Sequence, residues 1–188
     1  KFADEIIVID SYSSDRTCEF ARNADCKIFQ RKFYSHGEQI NWCCQFASND
    51  WILVLDADER ISKKLAHELI KIKIPSGVYG CKIKRHNFFL DRLIKHGSWR
   101  NDKVLRFFNK HKGKYVVRNV HSSVSVPGVI PTLNYPILHY SYRNIDDCIK
   151  KISRFSTGGA LDLYDLKKKT TLLNLVLRSF FRFFKSYI

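Results

Sequence analysis

The apolar run Trp51-Ile52-Leu53-Val54-Leu55 delivers Asp56-Ala57-Asp58-Glu59 just where its pattern stops. A strand that is apolar at every position is buried on both faces, and open α/β sheets bind ligands beyond the carboxyl ends of such strands. The acidic cluster therefore stands at a sheet's working edge. With only Ala57 between them, Asp56 and Asp58 can place one oxygen on a divalent cation and leave another for a hydroxyl. Hard oxygen ligands suit Mg2+ or Mn2+, shared with phosphates. The plain alternative is that these acids precede a helix, for which Ser62 is an available N-cap before Lys63 to Ile70.

A second strand-like run, Ile6-Ile7-Val8-Ile9, empties into Asp10-Ser11-Tyr12-Ser13-Ser14-Asp15-Arg16-Thr17. Taken alone it reads as a polar turn in which Ser14 or Asp15 caps a helix. Two buried strands ending in acidic turns, separated by helix, strand and helix, describe a nucleotide-binding crevice.

Together these segments resemble glycosyltransferase family 2, and within it the lipopolysaccharide-core β-1,4-glucosyltransferase branch. Further segments carry the resemblance in the same order: Gln39 and Asn41, Trp99-Arg100-Asn101-Asp102, Val104-Leu105-Arg106-Phe107-Phe108, Val120-His121, and Pro136 to Tyr142 with His139. The resemblance implies an α/β fold of GT-A type, a Rossmann-like mixed and mainly parallel sheet flanked by helices. It also implies transfer of a sugar from a nucleotide-sugar, UDP-linked by expectation, to a glycan or glycolipid hydroxyl with inversion at the anomeric carbon.

In that scheme Asp58 holds Mg2+ or Mn2+, with Asp56 beside it near the ribose or a metal-bound water and His139 as a late metal ligand. Asp10 accepts a hydrogen bond from the base, and Ser13, Asp15, Gln39 and Asn41 complete the donor site. Asp102 and His121 are the candidates for general base, because Ser122 stands where the branch carries a Glu after the His. Ile40 replaces a basic residue of the family between Gln39 and Asn41, which implies weaker hold on the diphosphate. Lys84, Arg85, Arg100 and Arg106 are candidate contacts for an anionic acceptor. Family members begin with a further strand and an Asn-Glu turn, whereas this chain starts at Lys1 and contains no Met. It reads as a fragment lacking part of the base pocket.

The formal net charge of +15 implies anionic surroundings: nucleic acid, an anionic membrane or phosphorylated substrates. Nucleic acid is set aside, because the basic residues form no recognition helix, zinc-finger spacing or RNA-recognition motif. Cys18, Cys26, Cys43, Cys44, Cys81 and Cys148 have no CxxC spacing and read as reduced thiols of a cytoplasmic chain. Ile40, Cys43, Cys44 and Ala47 fall at helical spacing and read as core. Strands are expected over Cys26 to Gln30, Val78 to Arg85, Leu105 to Phe108, Tyr115 to Val126 and Ile137 to Tyr140, and helices over Asp15 to Ala24, Gly37 to Ser48 and Asn144 to Tyr164.

The carboxyl end reads separately, dividing the chain into a catalytic part, 1–165, and a tail, 166–188. From Thr171 the polar residues Thr171, Asn174, Arg178, Arg182 and Lys185 fall in one arc at about 100° per residue, and Leu, Val and Phe fill most of the rest. No unbroken apolar stretch approaches the ~20 residues of a spanning helix. An amphipathic helix lying on the inner, cytoplasmic membrane face fits better, with Lys167-Lys168-Lys169 attracted to anionic lipid. Packing of the same face against another part of the protein or another subunit is the alternative. Two rival functions remain: a haloacid dehalogenase-type phosphohydrolase, whose nucleophile also lies in a strand-borne Asp-x-Asp, and a catalytically degenerate GT-A binding protein.

Overall fold

The computed structural model describes residues 2–117, 122–142 and 144–187, the side chains of 98, 175 and 185–187 excepted. The amino-terminal third is a crossover unit. β1 (Ile7–Asp10) and β2 (Lys27–Gln30) pair in parallel around α1 (Thr17–Asn23), with Asp10 opposite Gln30. Next comes α2 (His36–Cys43), whose first turn is closed by Ser35 Oγ accepting the Glu38 N–H at 3.3 Å. One 3-10 turn, Cys44–Phe46, prolongs it.

β3 (Trp51–Leu53) carries the apolar run, and the chain leaves the strand two residues before Asp56. β4 (Glu59–Ile61) follows, then α3 (Lys63–Lys71), capped by Ser62 Oγ accepting from Leu65 N at 3.2 Å. The later elements are β5 (Gly80–Phe89), β6 (Arg92–Leu93), β7 (Lys103–Asn109), β8 (Lys114–Val116), β9 (Ser123–Ser125), β10 (Ile137–Tyr142), α4 (Ile145–Asp165) and α5 (Leu172–Tyr187).

The central sheet runs β3-β7-β5-β10-β4, with β6 a hairpin arm on β5. It is mixed and flanked by helices, as expected, but its pairings are chiefly antiparallel. Among the strands of the described residues, β5–β10 is the parallel pair within it and β1–β2 the one outside it, while β3–β7, β5–β7, β10–β4 and β5–β6 are antiparallel. The reason is physical. An apolar run reports burial on two faces, not direction, so it looks the same beside a parallel or an antiparallel neighbour. The single strand expected over Tyr115 to Val126 is instead the antiparallel pair β8–β9.

Two apolar clusters hold this sheet. One joins Leu65 of α3 to Val78, Cys81, Ile83, Leu133 and Ile137, and the other joins Val54, Phe108, Tyr115 and Val124. Ile40 and Cys44 of the expected helical stripe pack against the second, half-buried. A fully buried side chain of this size contributes roughly 1.5–3 kcal/mol, so Phe108 and Ile83, both buried, anchor β7 and β5 side by side. Gly128 closes the loop ahead of β10 at φ +79°, where an added Cβ would lie 2.2 Å from the Gly77 carbonyl oxygen. Only glycine fits there.

Candidate active site

Asp56 and Asp58 sit between β3 and β4, where the sheet's apolar cover ends. Their side chains are 31% and 34% exposed, so both carboxylates are reachable. They face different partners. Asp56 accepts from Arg106 Nη2 through Oδ2 and lies 2.9 Å from His36 Nε2 through Oδ1. Burial works against the Asp56 charge, but the His36 hydrogen bond and the Arg106 guanidinium outweigh it and hold the carboxyl well below its ordinary range. Asp58 lies 3.6 Å from His139 Nε2 and 3.4 Å from Lys151 Nζ. Burial again opposes ionisation, and His139 and Lys151 again overcome it.

Beneath this pair lies a layer of buried charge. The Glu59 side chain is fully enclosed and accepts from Arg106 Nη2 at 3.2 Å and Arg85 Nη1 at 3.4 Å. Arg106 is buried and also donates to the Tyr115 hydroxyl at 3.4 Å. Burial disfavours its charge, yet Asp56 and Glu59 keep the guanidinium more firmly protonated than usual. Arg85 and Arg106, expected as acceptor contacts, are therefore internal counter-ions. A signal existed in the sequence: Arg106 shares strand parity with the buried Phe108, and a charge facing inward requires a partner.

Asp102, a candidate base, is placed within this network. Its Oδ2 accepts Arg85 Nε at 2.8 Å, Arg85 Nη2 at 2.7 Å and Asn87 Nδ2 at 3.2 Å. His121 lies outside the described residues. His139 is brought to Asp58, and its Nδ1 stands 2.6 Å from Asn87 Oδ1.

The amino-terminal candidates form a second group. Asp10 is buried and accepts from Gln30 Nε2 at 2.9 Å and from the Ser13 backbone N–H, and those bonds keep it ionised far below its ordinary range. Asp15 accepts from the Thr17 N–H and hydroxyl in a turn just ahead of α1, while the cap position falls on Arg16, whose side chain makes no capping bond, so neither Ser14 nor Asp15 is the cap. Gln39 donates to Ser11 Oγ at 3.2 Å. One turn earlier on α2, His36 touches Asp56, so one helix face links the Asp10 turn to the Asp56 loop. Asn41 does not join them. Its amide makes two 2.9 Å bonds to the Tyr115 backbone and pins β8 against α2, because Asn41 faces the other side of the helix.

His36, Asn87 and Lys151 are the site neighbours that sequence reasoning missed. Each meets its carboxylate or histidine from a distant element, and none sits in a motif.

Among the described residues no group of three or more His, Cys, Asp or Glu side chains forms a metal cage. Asp58 and His139 are the pair able to share a cation, with oxygens of a bound phosphate completing its shell. A cavity of about 420 Å3 lies elsewhere, against α3, lined by Lys64, His67, Glu68, Lys71, Asn134 and Tyr135. It touches none of the acidic residues above.

Residues 1–126 match the model of the family described as glycosyl transferase family 2. A protein named uncharacterized glycosyltransferase from Rickettsia bellii is 28% identical over 204 residues, covering 98% of this chain and 67% of the relative. A namesake from Rickettsia felis is 29% identical over 209 residues, 98% of this chain and 69% of its own length. The lipopolysaccharide core biosynthesis glycosyltransferase LpsC of Rhizobium meliloti is 22% identical over 180 residues, 92% of this chain and 67% of the relative.

Proposed function

The chain belongs to glycosyltransferase family 2, and from that premise we propose that it transfers a hexose from a UDP-sugar, with inversion, to a saccharide or lipid-linked acceptor of the lipopolysaccharide-core kind. LpsC, named for core biosynthesis, supports the acceptor class. Membership in the family removes the dehalogenase alternative, and relatives named as glycosyltransferases favour an enzyme over a degenerate binding protein. The observation that carries the reading is the facing pair Asp58 and His139, 3.6 Å apart at the mouth of the sheet.

Mg2+ or Mn2+ held there would stabilise the charge that builds on a departing diphosphate. The rest belongs to the chain itself. Arg106 and His36 fix Asp56 so that its carboxylate keeps one orientation. Lys151 adds a positive charge on the other side of Asp58 and is itself held by the Ser141 carbonyl at 2.6 Å. Asp10, Ser13 and Gln39 are assigned to the nucleoside end, Asp15 to shaping the turn, and Asp102 to support of the site. A panel of UDP-hexoses assayed for UDP release tests this. Turnover of at least one donor in Mn2+, abolished by EDTA, is expected; turnover indifferent to EDTA would remove the cation.

We also propose that 1–165 is the catalytic part and 166–188 attaches it to an anionic, cytoplasmic membrane face. No helix among the described residues is long and apolar enough to cross a membrane. α5 exposes Leu172, Leu173, Val176, Leu177, Phe180, Phe181, Phe183 and Phe184, an apolar area larger than scattered surface residues explain. Co-sedimentation with phosphatidylglycerol-containing vesicles should weaken more than tenfold in a Phe180→Ser/Phe184→Ser variant, since each buried Phe contributes about 1.5–3 kcal/mol. Equal binding by variant and parent would count against attachment through α5.

A further inference from the structure

His139 and Asn87 are register partners on the parallel strands β10 and β5, so their side chains emerge side by side on one face. Asn87 is 3% exposed, and its amide has no freedom to flip. Its Nδ2 lies 3.2 Å from the Trp99 carbonyl oxygen and 3.2 Å from Asp102 Oδ2. Both are acceptors only, so the NH2 group must face them and Oδ1 must face His139. An amide oxygen cannot donate. The hydrogen in the 2.6 Å contact between Asn87 Oδ1 and His139 Nδ1 therefore sits on Nδ1, with Ser141 Oγ at 3.0 Å able to accept it as well.

A neutral imidazole with its hydrogen on Nδ1 carries its lone pair on Nε2. That nitrogen looks across 3.6 Å at Asp58 Oδ1, another acceptor. With the ring neutral, two lone pairs would face each other at this spacing, a gap that a divalent cation can bridge, whereas a ring protonated on both nitrogens pairs with Asp58 directly.

We propose that Asp102 and Asn87 are positioning residues that lock His139 in the tautomer presenting its Nε2 lone pair to a divalent cation shared with Asp58. The inference rests on the cation reading given above, and it gives Asp102 a different task from that of a general base. Arg85 completes the device by holding Asp102 with two N–H groups and by its own backbone N–H to the Asp102 carbonyl at 2.9 Å. Hydrogen-bond partners behind a metal-binding histidine typically govern 10–100-fold of the metal's affinity.

Three variants of the full chain test it: Asn87→Leu, Asp102→Leu and Asp102→Asn. Mn2+ affinity is measured by titration calorimetry without donor sugar, and the His139 tautomer by 15N NMR of the neutral ring, assigned with His139→Gln. Asn87→Leu should weaken Mn2+ binding about 10–100-fold and move hydrogen from Nδ1 to Nε2. Asp102→Asn keeps an oxygen for Asn87 and Arg85, so it should retain Mn2+ affinity and transfer rate within a few-fold, where Asp102→Leu does not. Unchanged Mn2+ affinity in a natively folded Asn87→Leu would overturn the proposal. So would loss of transfer by Asp102→Asn with Mn2+ binding intact, the pattern of a catalytic base. If the parent chain shows the Nδ1–H tautomer yet binds no Mn2+, the cation reading fails while the control of the tautomer by Asn87 stands.

Discussion

Replacing Arg106 with Met is expected to lower the free energy of unfolding by roughly 3–5 kcal/mol, the cost of leaving a buried charge without its partner. Against a total of about 5–15 kcal/mol for an ordinary domain, that is a large share. The Glu59 side chain has no exposure, and without Arg106 it keeps the Asp56 backbone N–H at 3.1 Å and, as its one cation, Arg85 at 3.4 Å. Asp56 would lose its guanidinium and hold His36 alone. Met fills similar volume, and Arg106 Nε already lacks a partner among the described residues, so packing changes little and the charge effect dominates. Urea unfolding should report a lower midpoint at unchanged slope. Adding Glu59→Gln should recover part of the loss, since a neutral amide is cheaper to bury than a bare carboxylate.

The pH dependence follows with a fixed sign. The Asp56 carboxyl titrates below its unfolded value, so its contribution is complete above about pH 4 and fades as pH falls below that. Arg106→Met should flatten that acid limb. An unchanged midpoint and acid limb would mean that Arg106 is no counter-ion.

What the sequence disclosed and what it withheld divide by distance along the chain. The strand ahead of Asp56, the Ser62 cap and the helix after it are all read from neighbours within a few residues, where apolar pattern and capping chemistry act. The partners of the acids are not local. Arg106 lies 50 positions from Asp56, Lys151 lies 93 from Asp58, and His139 lies 52 from Asn87. The pairing of β5, β7 and β10, with α4 packed against β10, brings them together. Strand direction was hidden for a related reason, since burial on both faces looks alike in parallel and antiparallel neighbours. Gln39 and Asn41 show the limit of spacing on a helix. Two residues apart, they face different sides of α2, and one reaches the Asp10 turn while the other fastens Tyr115.

The two acids of the Asp-x-Asp motif should separate cleanly when each is changed to asparagine. Asp58→Asn is expected to lower kcat/KM about a thousandfold, roughly 4 kcal/mol of transition-state stabilisation, because an amide cannot supply the negative charge that anchors a cation against the leaving diphosphate. Stability should change by less than about 1 kcal/mol. Asp58 is a third exposed, Lys151 keeps the Ser141 carbonyl, and the bond from Tyr140 N at 2.9 Å goes to the Asp58 backbone, which asparagine retains. Asp56→Asn should behave in the opposite proportion. Its carboxylate balances Arg106 and His36, so unfolding midpoint and activity should fall together. Parallel urea curves and metal-dependent UDP titrations on both variants check the split. UDP binding that remains equally Mn2+-dependent in Asp58→Asn would move the cation away from this carboxylate, and the facing pair with His139 would then need another occupant.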